Sequence, residues 1–67
     1  MEVQERVARY VHDNGIMQKH IAEKTGISKV KISQMFNGNR KMMADEFVLI
    51  CAAINKEPND FINTNEE

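Results

Sequence analysis

The sequence predicts an all-α fold, a compact bundle of four to five short helices. Three observations carry that expectation. Apolar residues recur at helical spacing in successive segments. Glycine and asparagine interrupt those segments every ten to fifteen residues or so. No run alternates apolar and polar residues as a half-buried strand does, and no repeat or low-complexity stretch occurs.

The elements follow in order. Val3, Val7, Tyr10 and Val11 fall at i, i+4, i+7 and i+8, the stripe of an amphipathic helix over about residues 2–13. Asn14-Gly15 stops it, since both residues tolerate the left-handed conformation that ends helices. A second helix is expected over residues 17–24, with Ile21 and Ala22 inward, Thr25 closing the stripe and Gly26 taking a tight turn. Ala22 is small enough for another helix to cross closely. Ser28 is a natural N-cap for a third helix over residues 29–36, its hydroxyl accepting from a backbone amide of the next turn.

Ile32 and Met35 form the buried side of that helix, with Phe36 flanking; Lys29, Val30, Ser33 and Gln34 lie away from it on the helical wheel. Asn37-Gly38-Asn39 ends it. A fourth helix over residues 44–54 carries Phe47, Ile50, Cys51 and Ile54 at helical spacing, with Val48 and Leu49 widening the apolar sector. Asp45 and Glu46 sit in its first turn, where carboxylates suit the helix dipole, and Met42-Met43 are expected to cover the base of the preceding loop. A last short helix over residues 58–62 begins at Pro58, where a missing N–H does no harm. The chain is thus expected to be one domain over residues 1–63 with a frayed polar tail over 64–67.

Sixty-seven residues leave no room for a separate catalytic or sensing module, and a core this size buries roughly 60% of the unfolded surface. Dimerisation is a natural reinforcement. One cysteine, Cys51, makes no disulfide framework and fits a reducing compartment; with no apolar run of membrane-spanning length and no leader, a cytoplasmic location is expected. The formal charge of −1 hides a division: residues 1–14 carry −1, residues 15–43 carry +5 and residues 44–67 carry −5. A basic middle with an acidic rear orients a small protein toward a polyanion, although a like-charge segment is often only a solvated face.

Catalytic and metal chemistry have little material here. Cys51 lies on an apolar face, as a small core residue does. His12 and His20 are on different helices without a second cysteine or close carboxylate, so neither metal nor other cofactor is expected. No glycine-rich phosphate loop occurs, and the chain is not expected to be an enzyme.

The segment from Gln18 to Gly38 differs, because its features agree. Its pattern, Gln-x-x-Ile-Ala-x-x-x-Gly-Ile-Ser-x-x-x-Ile-Ser-x-Met-x-Asn-Gly, resembles the Cro and phage-repressor family of helix-turn-helix proteins, the XRE family. The resemblance covers about residues 2–62. It implies a lambda-repressor-like helix-turn-helix domain that binds double-stranded DNA and regulates transcription, of the kind found in phages and mobile elements. It further implies that Gln18 contacts a phosphate and braces the third helix, that Ser28, Lys29, Val30 and Gln34 meet bases, and that Lys31, Asn37, Arg40 and Lys41 touch the backbone. Side-chain chemistry agrees: Gln pairs bidentately with adenine, Lys donates to guanine O6 or N7, and an exposed Val packs on a thymine methyl. Lys31, Arg40 and Lys41 supply charge that fixes register without reading sequence.

Lys29 and Val30 depart from the more polar pair usual in the family, so no operator is borrowed from a relative. Met43 stands where a Ser or Thr cap is commoner, which predicts a weakly capped fourth helix. The expected partner is a pseudo-palindromic operator bound by a homodimer, with no membrane association, and the dimer contact is expected at Phe61 and Ile62. The alternative is a protein-interaction module, an antirepressor or antitoxin, binding a partner chain through its acidic rear.

Overall fold

The computed structural model describes residues 2–62; the expected tail over 64–67 lies outside them. Four α-helices follow one another: α1 (Val3–Asp13), α2 (Gln18–Thr25), α3 (Lys29–Phe36) and α4 (Ala44–Ala53). A 3₁₀ turn over Pro58–Asp60 closes the order, and the described residues include no strand. Helices of eight to eleven residues are marginal by propensity alone, so their stability comes from packing an apolar face. That face is supplied by Val7 and Val11 of α1, Ile21 of α2, Ile32 and Met35 of α3, Ile50 and Cys51 of α4, then Ile54 and Phe61, all buried. The second helix sits between α3 and α4, and α1 packs on α3.

Each boundary has a local cause. Glu2 leads into α1, and its backbone N–H donates to Glu5 Oε1 at 2.9 Å. Gly26 ends α2 at φ +79°, a left-handed conformation that a side chain adopts only under strain. Thr25 ties that turn together: Oγ1 donates to the Ile21 carbonyl (2.8 Å) and accepts from the Ile27 N–H (3.1 Å). Ser28 caps α3, its Oγ accepting from the Lys31 N–H at 3.2 Å. Met43 gives α4 no side-chain cap, as expected; Glu46 Oε1 accepts the Met43 N–H at 2.9 Å.

Four expectations are corrected by packing. Val48 and Leu49 do not widen the core; they are 55% and 46% exposed, because α2 and the 3₁₀ turn cover only the opposite side of α4. Met42 does pack against the core, but Met43 points into solvent. The last helix is shorter than predicted, a single 3₁₀ turn over Pro58–Asp60. Its job is to deliver Phe61, 5% exposed, into the core, edge-on to Tyr10 (centroids 5.7 Å apart) and to Phe47 (6.4 Å). Phe61 is consequently closed to a partner as the chain stands, and only Ile62 of the expected dimer pair is exposed. The Arg6 guanidinium locks the same corner, donating to the Phe61 carbonyl at 3.0 Å, while Lys56 lies 5.1 Å over the Tyr10 ring.

Candidate nucleic-acid interface

The Gly26 elbow sets α3 against α2 while Ile32 and Met35, both fully buried, fix its rotation. With those two inward, the 3.6-residue period turns Val30, Ser33, Gln34 and Asn37 outward. Val30 and Gln34 are exposed, Ser33 half-buried. Gln18 opens α2, in the turn that carries the positive end of the helix dipole. Gln18, Lys29, Val30, Ser33 and Gln34 together line one open depression of about 360 Å³ between the start of α2 and the outer face of α3. Four of the residues expected to meet DNA therefore converge on a single concavity.

Ser33 is the member to which sequence reasoning assigned no role, although its outward position on the wheel was plain. The hydroxyl of Ser28 has its acceptor side engaged by the Lys31 N–H, which leaves its O–H to give away. Lys31 is exposed but does not share the depression; helical spacing puts it on the other flank of α3. Asn37 caps the far end of α3, its N–H donating to the Ser33 carbonyl at 3.0 Å, with its side chain exposed. Arg40 and Lys41 lie in the loop beyond, at the lip of a second cleft of about 340 Å³ shared with Glu2, Gln4 and Glu5 of the chain's beginning. Of the nine predicted residues, Gln18, Lys29, Val30 and Gln34 thus share the depression, Ser28 caps the start of α3, Lys31 lies on its other flank, Asn37 ends it, and Arg40 and Lys41 stand in the loop beyond.

The electrostatics agree with a polyanion. Among the described residues the one Lys or Arg paired with a carboxylate is Lys56, with Asp60 and outside the basic stretch; Lys29, Lys31, Arg40 and Lys41 have no described carboxylate within 4.0 Å. No group of three His, Cys, Asp or Glu among the described residues is placed to hold a metal ion. Burial pushes the Cys51 thiol above its ordinary value of 9.0, with the Asp60 and Glu57 charges adding to the effect. A neutral thiol in the core is neither nucleophile nor ligand. No helix among the described residues is long and apolar enough to cross a membrane.

An α-helical bundle whose second and third helices meet at a glycine elbow, with the third helix's polar face outward, is a helix-turn-helix domain. The sequence profile of the Cro/C1-type HTH DNA-binding domain matches residues 6–67, and the chain belongs to that family. No curated protein and no solved structure gives a significant match.

Proposed function

We propose that this chain is a sequence-specific transcriptional regulator acting by occupancy, with α3 in the major groove and the start of α2 on the phosphate backbone. The observation that supports it is the convergence of Gln18, Lys29, Val30, Ser33 and Gln34 on one exposed concavity within a stretch of net charge +5. In this reading Gln34, Lys29, Val30 and Ser28 meet base edges, and Gln18, Lys31, Asn37, Arg40 and Lys41 hold phosphates. Occupancy at a promoter excludes polymerase, which makes repression the expected outcome.

Two copies would occupy half-sites about 34–36 Å apart, one helical turn. The domain's longest dimension is 35 Å, so copies that lie with that axis along the duplex would touch at that spacing. The exposed residues Val48, Leu49 and Ile62 are the apolar side chains available for that contact on the acidic half of the chain. Sedimentation that finds a monomer at high micromolar concentration, with and without DNA, overturns the pairing.

Selection of bound duplexes from a random pool tests the whole proposal. Enrichment of a two-fold symmetric motif is expected; no enrichment sinks it. A competing reading, an interaction module of the antirepressor or antitoxin kind, is favoured by the same exposed Val48 and Leu49. Capture of a partner chain that tolerates changes at Lys29 and Gln34 but not on α4 would select it.

A further inference from the structure

We infer that Gln4 is a positioning residue for phosphate contact, a clasp that holds the basic loop after α3 in place; the inference rests on the DNA-binding function proposed above. The loop spans residues 37–43. Its first half hangs from α3, with Asn37 donating to Ser33 O (3.0 Å), Gly38 to Met35 O (3.3 Å) and Asn39 to Gln34 O (2.9 Å). Residues 40–42 are held differently. Gln4 Nε2 donates to the Met35 carbonyl at 2.6 Å and to the Arg40 carbonyl at 2.7 Å, and Gln4 Oε1 accepts from the Met42 N–H at 2.9 Å. Among the described residues these are the hydrogen bonds that reach Arg40 and Met42 from outside the loop.

Two carbonyls and one N–H also fix which way the amide faces, because only nitrogen gives and only oxygen takes. One side chain therefore joins the first turn of α1, the last turn of α3 and both sides of Lys41. Long basic side chains lose conformational entropy when they settle on a phosphate, and a loop already ordered reduces that loss to the side chain alone. Glutamic acid has the same length but meets two carbonyls with oxygen, so glutamine is the residue that the geometry selects.

The test is a double-mutant cycle read by DNA binding, beside amide exchange at Met42. Gln4→Leu should weaken binding to selected and random duplexes alike, by roughly tenfold, and flatten the salt dependence by about one to two units. Gln4→Glu should do at least as much damage. In a background of Arg40→Ala and Lys41→Ala together, Gln4→Leu should cost nothing further, while circular dichroism reports unchanged helix content. An equal loss in both backgrounds, or an unaltered salt slope, shows a residue that only stabilises the fold and overturns the inference. The Met42 amide should be protected in the wild-type protein and lose protection in Gln4→Leu; a fast-exchanging wild-type amide overturns the clasp without need of any variant. A wild-type protein that binds no duplex yet keeps that amide protected overturns the phosphate role through the function, a failure distinct from absence of the clasp.

Discussion

Val30 leaves 66% of its surface in water at the middle of a polar helix face, where an apolar side chain gains nothing from the fold. In the proposed reading, a thymine methyl in the major groove would give it a contact. Replacing thymine by uracil in the selected site should therefore weaken wild-type binding and leave a Val30→Ala protein indifferent, as measured by titration of the two duplexes. In the same reading Gln34, one turn on, would read by hydrogen bonds. Gln34→Ala should cost about 1–3 kcal/mol on the selected site and little on random duplex, measured by competition at one salt concentration. Cys51 makes the opposite case, a reactive group put beyond reach. Its raised pKa means that the folded chain holds the thiol proton more tightly than the unfolded chain does. Stability is untouched by this group below 9.0 and falls as pH rises from there toward the higher folded value. Denaturant melts across alkaline pH should show that decline and lose it in Cys51→Ala, and thiol reagents should label native protein only as fast as it opens.

At the scale of the elements, the elbow and the loop divide the work. Nothing lies within 4 Å of where a Cβ on Gly26 would stand, so space is not the constraint; φ +79° is. Gly26→Ala should cost about 1–2 kcal/mol of stability by thermal melting, through backbone strain alone. The loop beyond α3 should behave as a positioner. Lys41→Ala is expected to weaken all sequences alike and to lower the salt slope by about one unit. If it instead acted like Gln34→Ala, the division between readers and positioners would be wrong. Helix existence, the elbow and the outward row of α3 were legible in the sequence because each rests on spacing or on a capping residue nearby. Val48 and Leu49 were not, since an apolar residue on a short helix does not say whether a neighbour covers it. Gln4 was wholly illegible: a glutamine in a first helical turn reads as solvated, and its partners lie 31 to 38 residues away. The side-chain cap of Ser28 was visible locally, whereas the long-range tie that orders the basic loop appears only once the chain has folded.

Over the whole molecule, a net charge of −1 conceals a basic middle of +5 and an acidic rear of −5. In the proposed reading, that division would orient the domain in the field of a duplex. The same economy of size makes the core vulnerable, because a single hydrophobic core of this length rarely contributes more than about 3–5 kcal/mol of net stability. Ile32→Ala, which removes a fully buried side chain from α3, should cost about 2–5 kcal/mol and leave much of the protein unfolded at ambient temperature. Far-ultraviolet dichroism checks it, and a cooperative native melt would contradict it.

Phe61 acts as a buckle. Its ring closes on Tyr10 and Phe47 while its carbonyl is gripped by Arg6, so a segment 55 residues downstream fastens the opening helix. A nick anywhere between Asn55 and Pro58 would cut the strap behind that buckle. The probe helix, far from the wound, would then lose its footing through α1.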